Sequence, residues 1–317
     1  MPKPPASKRN SRDIESGDLI MQPNTPVGII GLGLMGTALF ERLIEAKVPL
    51  IGFDIEPTRR EKLKASGGMV ATSVRELAGR SRTIIVAVYS GEQVEALFGE
   101  FENATGPARP IVVCTTTCRP DEITRLARRA TSARIPFVEA PISGTSADVR
   151  DGTATALVAG EAGAIQSVSI LLDILCPRSV RVGAIGDASR TKLAINLILQ
   201  NNRAALAEGI AFAERLGLDG RAFLAAARES AAYSRVMETK GEKMLTRDFR
   251  PQSHISQTLK DAELILEEAM RLGLALPVTT AQADLLRAAI ALEGLDSDSA
   301  AVIEAIRQRP AVTEVSR

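Results

Sequence analysis

The chain of 317 residues has no Trp, two Tyr, three Cys and a single His, and each shortage removes a class of function. Aromatic residues make up 3% of the total, too few for the stacking platforms that hold single-stranded nucleic acid. The formal net charge is +1, so no global field draws the chain to nucleic acid or to an anionic membrane. No apolar run approaches the roughly 20 residues that a membrane-spanning helix needs. Cys114, Cys118 and Cys176 cannot form a disulfide framework and point to a reducing compartment, the cytoplasm. With His254 as the only imidazole, the usual four-ligand zinc sets cannot be assembled and no metal is expected.

What is present is the balance of a globular protein, 45% hydrophobic and 24% charged, at a length that suits two domains. Residues 1–26 are rich in Pro, Ser, Lys and Arg. They lack the apolar segment of a secretory signal, and Asp13, Glu15 and Asp18 are out of place in a transit peptide. This stretch is expected to be a disordered tail outside the fold.

From Val27 to Ile30 a short β-branched run leads into Gly31-Leu32-Gly33-Leu34-Met35-Gly36. A helical pattern from Thr37 to Ala46 follows, and then a second apolar run, Leu50 to Phe53. This is strand, helix, strand. Further strands are expected at Thr83 to Val88, Ile111 to Val113, Phe137 to Glu139, Thr155 to Ala159 and Ser179 to Val182. Helices are expected between them at Arg59 to Ala65, Gln93 to Phe98, Pro120 to Ala130 and Ala162 to Leu175. Continuous apolar strands alternating with helices predict an α/β domain over 27–186, a doubly wound and mostly parallel sheet covered on both faces. The pattern changes near Gly183 to Asp187. One long helix is expected from Ala188 to Leu216, then helices at Arg221 to Glu229, Ser234 to Lys243, Ser256 to Leu272, Thr279 to Glu293 and Ser299 to Arg307. Residues 187–317 thus read as an all-α domain.

The glycine run is G-x-G-x-x-G in the context that gives it meaning, after a strand and opening a helix. In such a Rossmann-type loop the first Gly makes the tight turn, the second lets the backbone approach a pyrophosphate, and the third lets helix and strand pack closely. The helix N-terminus then favours the diphosphate. Asp54, at the end of the second strand, is placed to bind ribose hydroxyls, which favours NAD over NADP because its charge repels a 2′-phosphate. Arg59 and Arg60 stand near enough to bear on that choice, or simply form a solvated helix face.

Scarcity also narrows the chemistry. His254 is the only candidate for a His-dependent hydroxyacid dehydrogenase, and it lies late in the helical half. The Tyr and Lys pair of short-chain dehydrogenases is missing, because Gln93 follows Tyr89 and Met237 follows Tyr233 at that spacing. Lys remains as an acid/base. Lys192 is a lone cation early in the long helix, with Asn196 one turn later on the same face. From spacing alone Lys192 is equally a cation snorkelling from a buried helix.

These motifs resemble the β-hydroxyacid dehydrogenases, the group of 3-hydroxyisobutyrate dehydrogenase, tartronate semialdehyde reductase and L-threonate dehydrogenase, with 6-phosphogluconate dehydrogenase as a distant relative. The likeness runs from Val27 to about Ile306 through four signatures in order. They are the loop Gly28 to Gly36, the segment Glu139-Ala140-Pro141-Ile142-Ser143-Gly144-Thr145, the segment Gly183 to Asn196, and Leu259-Lys260-Asp261. The resemblance implies Lys192 as acid/base and Asn196 as a substrate contact. It places Ser143, Gly144 and Thr145 around the substrate, and has Lys260 reaching toward the cofactor. Thr116 and Thr117 fall where the family has a hydroxyl pair near the nicotinamide ribose, or form a strand end that caps the next helix. Four departures bear on the substrate. Thr145 replaces a usual Gly, Ile195 a common first Asn, and Cys114 a common Asp, while His254 stands in a stretch that is often aromatic.

The implied activity is hydride transfer between a small 3-hydroxy acid, 3-hydroxyisobutyrate-like, and NAD. Alternatives are an NADPH-dependent tartronate or succinic semialdehyde reductase, an imine reductase, which would lack the Lys, and a non-enzymatic nucleotide-binding interaction protein. The Ala- and Leu-rich helical half predicts a homodimer or homotetramer built through that domain.

Overall fold

The apolar runs of the first half form strands buried on both faces, which requires a layer of helices on either side. The computed structural model describes residues 25–103 and 109–309. The chain divides into two compact units, Met1–Lys192 and Leu193–Arg317, a division just beyond the expected Gly183 to Asp187. Residues 1–24, most of the stretch read as a tail, lie outside the described residues.

In chain order the first unit runs β1 (Val27–Ile30), α1 (Leu34–Glu45), β2 (Leu50–Phe53), α2 (Pro57–Ala65), β3 (Met69–Val70), α3 (Val74–Arg80), β4 (Thr83–Val86), α4 (Gly91–Glu102) and β5 (Ile111–Cys114). It continues with α5 (Pro120–Ser132), β6 (Phe137–Glu139), β7 (Ile142–Ser143), α6 (Ser146–Arg150), β8 (Thr155–Gly160), α7 (Ala162–Ser167), α8 (Ser169–Leu175) and β9 (Arg178–Gly183). The sheet order begins β3-β2-β1-β4-β5-β6, all parallel. This is the Rossmann order, in which ligands bind at the carboxyl ends of the strands where the winding reverses between β1 and β4. Beyond it, β8 runs antiparallel to β6 and β7, and β9 is parallel to β8.

Alternation along each strand feeds two cores. Ile29, Ile85, Val113 and Val138 pack on one face with Leu39, Leu43, Leu171 and Leu172. Their neighbours Ile30, Ile84, Val86, Val112 and Cys114 pack on the other with Leu77, Phe98 and Leu126. A one-residue slip in any strand would exchange these sets.

Several elements were not anticipated. β3 and β7 have two residues each, too short for a periodic signal. Helices α3 and α6, of seven and five residues, are also short, but both carry caps, with Ser73 accepting from Glu76 N and Thr145 from Asp148 N. The single helix expected from Ala162 to Leu175 is interrupted at Val168, which leaves helical geometry (φ −105°, ψ 8°) and is fully buried. Packing of that side chain overrides the local pattern.

Helix α9 (Asp187–Arg215) passes from the first unit into the second. The second unit adds α10 (Gly220–Arg228), α11 (Val236–Thr246), α12 (Ile255–Arg271), α13 (Pro277–Glu293), a 3-10 turn at Ser299–Ala301 and α14 (Val302–Arg307). Its core gathers Ile210, Leu224, Met244, Ile255, Leu286 and Ile303. The buried stripe of α12 is Ile255, Thr258, Asp261, Ala262, Ile265 and Ala269, the three-and-four spacing of an amphipathic helix with one carboxylate set into it.

Candidate active site

Steric exclusion fixes the cofactor loop. Gly31 has φ +90°, and a Cβ there would strike the Ala87 carbonyl. A Cβ on Gly36 would collide with the Gly31 carbonyl oxygen, so α1 closes onto β1 only with Gly at that place. Gly33 differs, because no atom lies within 4 Å of where its Cβ would stand. It is the N-cap of α1 and no side chain caps that helix. The first turn of α1 thus has room beside Gly33 and no N-cap side chain on its amides, as a pyrophosphate cradle requires. Leu32 is buried and Leu34 and Met35 begin the helix, so these three serve through backbone position rather than side-chain chemistry.

Asp54 is nearly buried at the end of β2. Its Oδ2 accepts from Leu32 N at 2.6 Å and its Oδ1 from Glu56 N at 2.9 Å, so the carboxylate also braces the glycine loop. Arg59 Nη1 lies 3.4 Å from Asp54 Oδ2. Arg60 donates to the Asp54 carbonyl at 2.9 Å and lies over the Phe53 ring. Both cations are thus directed at this strand end. At the end of β5, Thr116 Oγ1 accepts from Val88 N and donates to Val88 O, each at 3.1 Å. This hydroxyl knits β5 to β4 and does not cap α5. Thr117 follows it, half-buried.

The next segment runs from β6 through Ser143, at the end of β7, to α6. Thr145 is the N-cap of α6: its Oγ1 donates to Asp148 Oδ2 at 2.7 Å, and Asp148 N donates back at 3.2 Å. The hydroxyl that replaces the usual Gly is therefore spent on a helix cap. Glu139, at the end of β6, is 1% exposed. Its Oε2 accepts from Gly186 N at 2.7 Å, and its Oε1 from Ser189 N and Ser189 Oγ, both at 2.6 Å. Burial pushes its carboxyl up from the ordinary range, against the lowering effect of the Ser189 and Gly186 bonds. Lys192 lies one turn beyond Ser189 and is 6% exposed.

In the helical unit Asn196 and Lys260 meet through a third residue. Asn196 Nδ2 donates to Asp261 Oδ2 at 2.9 Å, and Lys260 Nζ lies 3.1 Å from Asp261 Oδ1. Asn196 and Asp261 are both buried. The role of Asp261 as the holder of both neighbours was missed, although a carboxylate at a buried position of the α12 stripe was readable as a signal. His254 is partly exposed, and its Nδ1 donates to the Asp296 carbonyl at 3.0 Å, a satisfied ring at the start of α12. Among the described residues no group of three or more His, Cys, Asp and Glu side chains is placed to hold a metal ion.

Within the first unit, then, the carboxyl ends of β1, β2 and β5 carry Gly31 to Gly36, Asp54, Thr116 and Thr117, and β6 leads to Ser143, Gly144 and Thr145. Glu139 joins that end of the sheet to the start of α9, which carries Lys192. Within the second unit Asp261 joins Asn196 to Lys260.

Two family models match successive stretches of the chain. Residues 26–183 match the NAD binding domain of 6-phosphogluconate dehydrogenase, and residues 186–306 match the NAD-binding domain of NADP-dependent 3-hydroxyisobutyrate dehydrogenase. The chain is 31% identical over 282 residues to 2-hydroxy-3-oxopropionate reductase of Escherichia coli, covering 88% of this chain and 96% of that one. It is 28% identical over 280 residues to L-threonate dehydrogenase of Cupriavidus necator, covering 87% and 94%. The structure of 3-hydroxyisobutyrate dehydrogenase from Salmonella typhimurium superposes with a TM-score of 0.80 at 25% identity, over 88% of this chain and 99% of that one.

Proposed function

The chain belongs to the β-hydroxyacid dehydrogenase family and is an NAD(P)-dependent oxidoreductase of hydroxy acids, and from that premise we propose that it exchanges a hydride between a small 3-hydroxy acid, 3-hydroxyisobutyrate-like, and NAD, with Lys192 as general acid/base. The observation that carries this reading is Lys192 itself, a buried cation on the first turns of α9 with Asn196 four residues later on the same helix. The backbone from Gly31 to Gly36, Asp54, Thr116 and Thr117 would hold the dinucleotide, whose nicotinamide, when bound, takes up or returns the hydride.

The remaining chemistry belongs to the protein. Ser143 and the backbone at Gly144 hold the substrate carboxylate, and Thr145, occupied with its cap, shapes the pocket through its methyl and backbone. Lys192 accepts the hydroxyl proton during oxidation and donates one to the developing alkoxide during reduction. Asn196, oriented by Asp261, fixes the hydroxyl, and Lys260 supports the cofactor side. A carboxylate that accepts two amides still has lone pairs for ribose hydroxyls, whereas a 2′-phosphate would meet its charge. Asp54 therefore supports NAD. Reduction of a tartronate-type semialdehyde is a second reading, favoured by the 31% likeness to 2-hydroxy-3-oxopropionate reductase.

Absorbance of reduced nicotinamide tests this with NAD and NADP against 3-hydroxyisobutyrate, L-threonate, glycerate and 4-hydroxybutyrate. A rise with NAD and one of the acids, slower with NADP, is expected. Silence with every acid, from protein shown by calorimetry to bind NAD, would defeat the reading.

A homodimer or homotetramer is part of the same proposal. Phe212, Leu216 and Leu218 at the end of α9, and Met270, Leu272 and Leu274 at the end of α12, are each more than half exposed. So much exposed apolar surface on a helical unit suits a partner copy. Light scattering is expected to give twice or four times the 33.7 kDa chain, and a chain-sized mass at all concentrations would refute this. The cytoplasm is the compartment proposed, supported by three buried, free cysteines.

A further inference from the structure

Helix α9 carries the proposed acid/base, yet it cannot cap its own N-terminus. Its N-cap is Gly186, whose carbonyl receives the first helical bond from Arg190 N. Gly186 has φ +97°, a conformation that side-chain-bearing cap residues rarely adopt. The acid in the first turn, Asp187, is already engaged by Ala184 N at 2.9 Å and Arg190 Nη1 at 2.8 Å.

Glu139 does the capping from another element. In an ordinary capping box the N-cap side chain accepts the amide of the third helical residue, and that residue's side chain reaches back to the N-cap amide. Here the Ser189 amide and the Gly186 amide both donate to Glu139, at 2.6 and 2.7 Å. One carboxylate performs both halves of the box, and the Ser189 hydroxyl adds a third bond at 2.6 Å. The platform behind it is rigid. Glu139 is paired in the sheet with Cys114 of β5 on one side and with Ala159 of β8 on the other.

We propose that Glu139 is a positioning residue for catalysis: by capping α9 from the end of β6, it sets the height and rotation at which Lys192 is presented. The inference rests on the proposed reaction. It accounts for the buried charge, because Gly186, at φ +97°, leaves the N-cap without a side chain, so both amides take their acceptor from another element. It also gives the segment Glu139 to Thr145 a second task. One end of this segment fixes the catalytic helix while its far end holds the substrate carboxylate, so the two reacting partners are referenced to one short stretch of chain. A displacement of about 1 Å is enough to cost roughly a hundredfold in rate.

The test is E139Q, which keeps the volume but turns an amide N–H toward one of the backbone donors. Its kcat is expected to fall by about ten- to a hundredfold, with the dissociation constant for NAD, read by calorimetry, within about twofold of wild type. The solvent deuterium isotope effect on kcat should rise, because proton transfer through a misplaced Lys192 becomes the slow step. A merely structural Glu139 predicts a lower melting temperature with kcat and isotope effect unchanged well below it, and that result would overturn the proposal. Should E139Q fail to fold, S189A decides the matter, since it deletes one bond and leaves both amides capped. A kcat a few-fold lower with a raised isotope effect supports positioning, and a wild-type isotope effect overturns it. A wild-type enzyme that turns over no hydroxy acid removes the reading of function, and this inference with it, and is recognised before any variant is made.

Discussion

Lys192→Ala is expected to lower kcat by about 10²–10⁴, the usual worth of a positioned general acid/base, while calorimetry finds NAD bound as tightly as by wild type. The asymmetry follows from where the groups sit. The residues that would hold the dinucleotide lie in the loops after β1, β2 and β5, and Lys192 stands apart from them on α9. Lys192→Arg sharpens the test. It preserves the positive charge and much of the length, but a guanidinium does not give up its proton at ordinary pH and cannot serve as the base for oxidation. Arg is therefore expected to be nearly as inactive as Ala. If Arg restores most of the turnover, Lys192 acts through its charge and not through its proton, and the acid/base role is lost. If Ala itself retains turnover, the snorkelling reading of this Lys is the right one.

How far the sequence anticipates this architecture depends on the length over which a physical signal repeats. The strands Val27–Ile30, Leu50–Phe53 and Phe137–Glu139 were readable to the residue, because each is built on apolar residues between breaks in the pattern. The loop between the first two carries Gly31 and Gly36, which steric exclusion permits almost nothing to replace. The strand direction of β8 was not readable, since its antiparallel pairing with β6 and β7 is a long-range outcome with no local periodicity. Site residues divide in the same way. Those marked by motif, Gly31 to Gly36, Asp54 and Lys192, stand on the loops and helix expected of them. Glu139, which caps α9, and Asp261, which holds Asn196, act through contacts 47 and 65 residues apart in the chain, and spacing cannot reveal such bonds. Thr145, placed around the substrate by the resemblance, has its hydroxyl bonded to Asp148 three residues on, a capping signal present in the sequence as Thr145-Ser146-Ala147-Asp148.

Asp298→Ala is expected to produce the largest loss of stability of any single change in the helical unit. Asp298 is fully buried, and its carboxylate takes Lys240 Nζ at 2.7 and 2.8 Å. It also accepts from Gln252 N at 2.8 Å, Ser253 N at 3.3 Å and Ala300 N at 2.9 Å. It thereby closes the 3-10 turn, the loop before α12, and α11 onto one point. Burial pulls the Lys240 ammonium down to about 8, only partly offset by the attraction of Asp298. Burial likewise lowers Arg203 to about 10 against Asp298 and Asp261. The cations are thus expensive to bury, and one carboxylate answers for much of that cost. Removing it takes the carboxylate from the buried Lys240 amine, which keeps only Ser253 Oγ at 3.2 Å, and orphans three amides, which costs about 3–5 kcal/mol, or a fall of about 10 °C in Tm. Lys240→Met is expected to cost less, about 1.5–3 kcal/mol, because Asp298 keeps its three amides and the field of Arg203 while the new side chain is apolar. Thermal unfolding followed by circular dichroism measures both. The order decides the argument: if Lys240→Met is the more damaging variant, the backbone amides contribute little and the ion pair alone holds this corner of the fold.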